Sequence, residues 1–376
     1  MANEKELFGM PEIFINFKTK GTNAIARSAR GVVLMILHNE TTDEIKRYRI
    51  NDVADIPEKG ITEANIDLIK KTLLGTPLRI LLYTLPAVEV ESAENTLSDI
   101  LKVIDTIKFN WLCAPNATEQ EAQDLASWIK TQRNINHKTF KAVLAHQAAD
   151  DKGIVNFCAE DIKVQTGKAE DGTPIYKTYT AAEYTGRIAG ILAGLPLDRS
   201  VTYYKLTEVT SVRQLEDINS LIDKGELHLI DEEDGDGVKV ARGGNSLTTF
   251  TTDVGKKYRK IKIVEGVDLV HDDIRDTFKK YYTGKCVNDY DHKMLFCSAC
   301  MVYFDGLKGN VLDKNGNNTI DIDEKFQRNY AILDGADVEK MSRMEIRQYN
   351  TGDKVALTGN LVFVDAMENL TIDFTM

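Results

Sequence analysis

Cysteine is scarce: Cys113, Cys158, Cys286, Cys297 and Cys300 are the five in 376 residues, and their number is odd. A disulfide framework needs more of them in pairs, so buried thiols in a reducing compartment are expected. Proline is scarce too, with seven, which excludes a rigid proline-rich linker. Long hydrophobic runs are missing. The longest near-continuous apolar stretch, residues 294–304, falls short of the roughly 20 residues that span a bilayer. Residues 1–9 carry charges where a secretory signal needs an apolar stretch. Neither membrane insertion nor secretion by that route is expected. Positive charge is in deficit, with 47 Lys and Arg against 58 Asp and Glu and a net of −11. That excludes the broad electropositive surface that binds nucleic acid or an anionic membrane. HExxH, GxSxG, the phosphate-loop GxxxxGK[ST] and a GxGxxG after the first strands are all absent. An enzyme using an α/β layer as a nucleotide domain is the weakest reading for that reason, since fold alone supplies no function.

What is present is the apolar content of a globular protein, 43% by the broad count, in a chain long enough for two or three domains. Between residues 75 and 160 apolar runs alternate with amphipathic stretches. Strands are expected at 79–85, 109–114 and 141–146, and helices at 90–108 and 119–133. Strands separated by helices of this length imply parallel pairing through crossovers, hence an α/β layer. Further helices are expected at 181–193, closed by Gly194 and Pro196, and at 212–224. Beyond them the texture becomes α+β: a hairpin from 226–231 and 238–242, a strand at 260–264, helices at 267–282 and 292–307, then strands at 319–323, 354–363 and 370–374. Charge divides along the same line. From Arg242 onward there are 19 basic and 21 acidic residues, a net of −2, leaving −9 for the residues before it. The two parts are expected to face different surroundings.

Both ends are strongly β-patterned. Residues 12–18 read EIFINFK, with Ile13, Phe14, Ile15 and Phe17. In 369–376, Leu370, Ile372, Phe374 and Met376 alternate with Thr371, Asp373 and Thr375, which puts one apolar and one polar face on an extended strand. Burying three apolar side chains contributes about 6 kcal/mol, whereas ordering seven residues of backbone costs about 7–14 kcal/mol. Such a segment cannot hold itself and needs strands to pair with, from its own domain, where it would be an edge, or from a neighbour by strand addition.

Three charged or polar clusters invite a site. Residues 313–324, DKNGNNTIDIDE, place Asp313, Asn315, Asn317, Thr319, Asp321 and Glu324 at positions 1, 3, 5, 7, 9 and 12 of a calcium loop. Asn318 stands at position 6 where a glycine is wanted, and Gly306 and Gly309 interrupt the entering helix, so a turn feeding a strand competes with calcium binding. Cys297 and Cys300 form a CxxC inside the apolar stretch MLFCSACMVYF, a setting that fits buried helix residues better than redox or zinc chemistry. Lys256, Lys257, Arg259, Lys260 and Lys262 put five basic residues into seven positions. In an acidic chain such a run is a candidate charge-pairing patch for an acidic protein surface, or a solvated face.

Five stretches carry a resemblance: GMPEIFINFK followed by RSARGVVLMIL, then YTGRIAGILAGLPLDRSVTYYKL, GELHLIDEEDGDGVKVARGGNSLTT and the ending VFVDAMENLTIDF. In this order the chain resembles contractile phage tail sheath proteins, in the short type of clostridial phages and of phage-tail-like bacteriocins (diffocin-like particles). The resemblance implies a non-enzymatic structural subunit without cofactors. Such a subunit polymerises helically around an inner tail tube and contracts to drive that tube through a target cell envelope. Implied partners are copies of itself, the inner tube protein, and baseplate and terminator proteins at the ends, with no nucleic acid and no membrane. It implies synthesis in the bacterial cytoplasm and work in a virion tail or a released particle. It also implies an organisation: an amino-terminal arm (1–20), an outer acidic α/β region (21–240), an inner tube-facing α+β domain (241–359) and a carboxy-terminal strand arm (360–376). Arms of this family join sheets of adjacent subunits, and they fall on Ile13, Phe14, Ile15 and Phe17 and on Leu370, Ile372 and Phe374. A calcium-binding α/β protein using the 313–324 loop is the alternative.

Overall fold

A strand reading Val-Val-Leu-Met-Ile-Leu has no polar face to offer water, so it must be covered on both sides. The computed structural model, which describes residues 25, 30–39, 44–87, 95–232 and 235–375, covers it so. Strand β1 (Val32–His38) is buried along its length except at His38. β2 (Lys46–Ile50), helix α1 (Glu63–Leu73), β3 (Arg79–Leu85), α2 (Leu97–Ile104), β4 (Trp111–Cys113), α3 (Glu119–Asn134), β5 (Lys141–Ala145) and β6 (Ile154–Phe157) follow. The main sheet is seven-stranded in the order β10-β6-β5-β4-β1-β3-β2, where β10 is Glu226–Leu227. All pairs are parallel except β2, which runs antiparallel to β3 at one edge. Its Lys46, Arg47 and Arg49 are the charges that discourage a bare edge from pairing with another chain.

Alternation along β1 divides the core. Val33, Met35 and Leu37 face one cluster with Leu68 and Ile69 of α1, and Val32, Leu34 and Ile36 face another with Ile100, Ile104, Leu125 and Ile129 of α2 and α3. The expected α/β layer is therefore present, with its strands close to the ranges read from the pattern. Between β6 and β10 lie β7 (Ile162–Lys168), β8 (Pro174–Tyr179), α4 (Ala181–Gly194), β9 (Val209–Ser211) and α5 (Ile218–Asp223). β8, β7 and β9 make a separate three-stranded sheet. Helix α4 adds Ile188, Ala189, Ile191 and Leu192 to the first cluster. It lies against α1 through Gly190, where an added Cβ would stand 2.1 Å from the Thr72 carbonyl oxygen. Only a residue without a side chain permits that approach.

Several expected elements are corrected. The helix expected at 212–224 is confined to α5, because Val209–Ser211 pairs with β7 and Asp217 starts the helix late by accepting from the Ser220 N–H at 3.1 Å. The hairpin forms between β11 (Leu229–Ile230) and β12 (Lys239–Val240), while β10 goes to the main sheet. The strand expected at 260–264 is instead the first turn of helix α6 (Ile261–Tyr281). Its Ile and Lys alternate, but Ile261, Val264, Glu265 and Asp268 also fall at helical spacing, and docking decides between the two.

That docking is electrostatic. Glu265, Asp268, Asp272 and Asp276 form an acidic stripe on α6. Arg133 grips Asp268 with two hydrogen bonds of 2.9 Å, and the buried Lys141 ammonium sits 3.1 Å from Asp268 and 3.2 Å from Glu265. Arg30 pairs with Glu265, Thr139 donates to Asp272 at 2.7 Å and Lys108 pairs with Asp276 at 2.6 Å. Burial pushes the Lys141 ammonium down to about 8 despite Asp268. Burial would raise the Asp268 carboxyl, but Arg133 and Lys141 outweigh it and hold it below its ordinary value.

The chain separates into two compact units. Of the described residues, 30–276, 307–317 and 361–375 belong to the one just described, and 277–306 with 318–360 belong to the other. The second contains most of α7 (Tyr290–Leu307), β13 (Thr319–Ile322), α8 (Glu324–Leu333), α9 (Arg343–Gln348) and β14 (Leu357–Asn360). Phe296 packs edge-on against Phe278 and Tyr282, with ring centroids 5.2 and 4.7 Å apart. Cys297 and Cys300 are buried in α7, and burial pushes their thiols up to about 11 and about 12, as inert core residues. β13 and β14 make a two-stranded antiparallel sheet, with Thr319 opposite Asn360 and Ile322 opposite Leu357. The strand expected over 354–363 is limited to β14.

Candidate assembly interface

The segment expected as the carboxy-terminal arm has two parts with different properties. Residues 361–368 are stapled down. The Asp313 N–H donates to the Val362 carbonyl at 2.8 Å, Phe363 forms an antiparallel bridge with Leu312, and the Val364 N–H donates to the Val311 carbonyl at 3.0 Å. Phe363 lies over Gly266 of α6, where an added Cβ would meet its ring at 3.1 Å. Lys262 donates to the Val364 carbonyl at 2.9 Å, and Lys260 pairs with Asp365 at 3.4 Å.

The last of these fastenings is Glu368. Its side chain is only 5% exposed and accepts from Thr202 Oγ1 at 2.6 Å and from Ser200 Oγ at 3.0 Å. Lys260 binds it directly and Arg242 Nε stands 3.3 Å away. Burial would raise this carboxyl, but the Lys260 and hydroxyl donors hold it below the ordinary glutamate value. Thr202 Oγ1 in turn accepts from the Gly243 N–H at 2.9 Å. The ARGGNSLT and DAMENL stretches of the sequence therefore meet at Arg242 and Glu368. The first is itself fixed by Asn245, which donates to the Tyr258 carbonyl at 2.7 Å, and by Asp150, which accepts from the Thr248 N–H at 2.7 Å. Beside this junction is a cavity of about 560 Å³ lined by residues that include Tyr203, Ile218, Ile222, Ile230, Arg242 and Met367.

Past Glu368 no hydrogen bond or ion pair to another described residue holds the chain. Leu370, Ile372 and Phe374 are 83%, 57% and 86% exposed, and residues 369–375 form no strand. The strand expected at 370–374 is thus corrected for the isolated chain. A strand exists only with a partner for its main-chain N–H and C=O groups, and none of the described residues pairs with it. Ile13, Phe14, Ile15 and Phe17, the matching expectation at the other end, lie outside the described residues.

The basic run is largely occupied within its own chain. Arg259 pairs with Asp223 at 3.5 Å and donates to the Ile222 carbonyl, while Lys260 and Lys262 hold the 364–368 stretch. Lys256 and Lys257 remain exposed. The calcium reading of 313–324 has no support. Arg347 takes Asp321 with two hydrogen bonds of 2.7 and 2.9 Å and Glu324 with one of 2.8 Å, and Arg343 also binds Glu324. Asn318 does not adopt the left-handed conformation that the loop's sharp turn requires. Thr319 is committed to β13, Asp313 caps the Asn315 N–H at 2.8 Å, and Asn315 and Asn317 bring no charge. Among the described residues no cluster of three or more His, Cys, Asp or Glu could hold a metal ion. Nor is any described helix long and apolar enough to cross a membrane.

The parallel sheet sandwiched by helices, the α+β unit and the stapled tail define a class by comparison. Residues 92–246 match the family described as phage tail sheath protein central domain. The same fold occurs in the sheath tail protein from Desulfitobacterium hafniense, at a TM-score of 0.63 and 20% identity over 82% of this chain and 93% of that one. It occurs again in the contracted helical sheath of the anti-feeding prophage, at a TM-score of 0.68 and 15% identity over 98% of this chain and 99% of that one. These two likenesses concern fold. The sequence goes further, being 35% identical over 373 residues to the tail sheath protein of Clostridium phage phiCD119, which covers 98% of this chain and 99% of that relative. The chain belongs to the phage tail sheath protein family.

Proposed function

We propose that this sheath protein polymerises as a helical tube of stacked rings around an inner tail tube, and that residues 369–375 of each copy are donated as a strand to another copy. The observation that carries the reading is the exposed alternation of Leu370, Ile372 and Phe374 just beyond a firmly anchored root. The β13–β14 sheet is the acceptor, because among the described residues it has two strands, which is marginal for a sheet, and its edges offer main-chain groups for a third. One patch meeting a different patch on the next copy does not close on itself and builds an open helix. Contraction repacks rigid units while donated strands keep the mesh joined. Added contact area drives it, together with charge pairing to which Lys256 and Lys257 contribute.

The amino-terminal segment with Ile13, Phe14, Ile15 and Phe17 serves as the second arm. The acidic first part of the chain forms the outer wall and the near-neutral part after Arg242 faces the tube. Baseplate and terminator proteins cap the ends, the product is structural rather than catalytic, and it is made in the bacterial cytoplasm for a phage tail or a bacteriocin-like particle. The test is electron microscopy of the full chain and of a truncation lacking 370–376, each at the concentration where the full chain forms striated tubes. The truncated chain is expected to stay folded and form none. Tubes from it would overturn strand donation.

A further inference from the structure

A glutamate close to the end of a chain, flanked by exposed residues, is usually solvated. Glu368 is not. Met367 before it is fully exposed and Asn369 after it is exposed, yet the Glu368 carboxylate is buried among groups from three separate stretches: Ser200 and Thr202, Arg242, and Lys260. The backbone gives it no help. The bond from the Val364 N–H to the Val311 carbonyl is the last main-chain hydrogen bond of the described tail. From residue 365 onward the segment is held by side chains alone, through Asp365 on Lys260 and then through Glu368.

We propose that Glu368 is the positioning residue of the arm, the point that fixes where the donated strand leaves its own subunit and how far it reaches. The inference rests on the strand-donation reading above. Beyond Glu368 the seven residues 369–375 extend about 23 Å at about 3.3 Å each. Without this anchor only the Asp365–Lys260 pair lies beyond the last main-chain fastening at Val364, and once it opens eleven residues span about 36 Å. A longer, unoriented tether meets its acceptor at a lower effective concentration and in no fixed register. Ser200, Thr202, Arg242 and Lys260 are the socket. Arg242 and Lys260 supply charge-assisted bonds and the two hydroxyls satisfy the remaining lone pairs, so that the buried carboxylate is fully partnered.

The test compares the full chain, Glu368→Ala, Glu368→Gln and the truncation lacking 370–376. The first readout is amide hydrogen exchange on unassembled protein, and the second is the protein concentration at which tubes appear by electron microscopy. Glu368→Ala is expected to speed exchange about tenfold at the Val364 and Gly243 amides, the hydrogen-bonded N–H groups beside the socket, and nowhere else, and to raise the assembly concentration about tenfold, the equivalent of about 1.4 kcal/mol. Glu368→Gln, which keeps the hydroxyl bonds, is expected to fall between. If Glu368→Ala assembles like the full chain while the truncation forms no tubes, positioning by Glu368 is overturned and strand donation stands. If the truncation itself forms tubes, both fall. Exchange that accelerates across the whole unit would show that Glu368 merely stabilises the fold, and would also overturn the proposal.

Discussion

Two sheets of this protein differ in whether they are finished. In the main sheet each of the five inner strands is paired on both sides, its faces are closed by four helices and its exposed edge strand is charged. Among the described residues the β13–β14 sheet has two strands and two edges, and residues 369–375 carry a strand's alternation without a paired strand. The first is what one chain can complete by itself. The second is where the proposed strand donation directs part of this chain's pairing capacity to another copy. Stability and assembly should therefore be separable, with mutations in the finished region governing folding and those in the unfinished region governing polymerisation.

The hardest challenge to that separation is Gly190→Val. The new Cβ would lie 2.1 Å from a backbone oxygen in α1, which cannot move without parting two helices. A cost above about 4 kcal/mol is expected, read as loss of a cooperative thermal transition. Asp268→Asn comes next. It leaves the buried Arg133 against a neutral partner and Lys141 with Glu265 as its remaining carboxylate, and about 3–5 kcal/mol should be lost in urea unfolding. Wild-type stability in either variant would mean that the α/β unit is less self-sufficient than its packing implies.

A smaller effect depends on pH. His38, at the carboxyl end of β1, has Nε2 at 2.9 Å from Glu121 and Nδ1 at 2.6 Å from the Pro86 carbonyl oxygen. Burial lowers its pKa, but Glu121 and Pro86 outweigh burial and raise it above the usual 6.5. The unfolded histidine binds its proton less tightly than the folded one. The contribution is therefore complete below about pH 6.5 and fades as pH rises through the folded value. Denaturation at pH 6.0 and 7.5 should show the wild type losing about 1 kcal/mol relative to His38→Gln. No difference between the two proteins would remove the ion pair from the account.

What the sequence disclosed follows the range of the interaction involved. The strand at 79–85 and the helices α3, α4 and α7 announce themselves because apolar periodicity, capping threonines and terminal glycine are local. The segment 260–264 misleads because its alternating Ile and Lys satisfy two periods, and the deciding partners, Arg133 and Lys141, lie far away in the chain. The 313–324 loop misleads for a related reason: its spacing fits calcium, but Arg347 has already taken two of its carboxylates. Glu368 could not be singled out at all, since nothing in DAMENL reveals that Ser200, Thr202, Arg242 and Lys260 converge on it. The spacing of Gly186, Gly190 and Gly194 was a visible signal of close helix packing.

The smallest effect on stability is expected where the effect on assembly is greatest. Removing residues 370–376 deletes Leu370, Ile372 and Phe374, which sit in water in the isolated chain and contribute almost nothing to its core. The loss of apolar surface should even favour solubility. The thermal midpoint of the truncated chain should match that of the full chain measured below its assembly concentration, corresponding to a change within about 0.5 kcal/mol. A clear drop would mean that these side chains pack somewhere on their own subunit, for instance in the cavity beside Met367, and that the sheet they complete is their own. An unchanged midpoint in a chain that no longer polymerises would place their whole energetic value in contacts between copies.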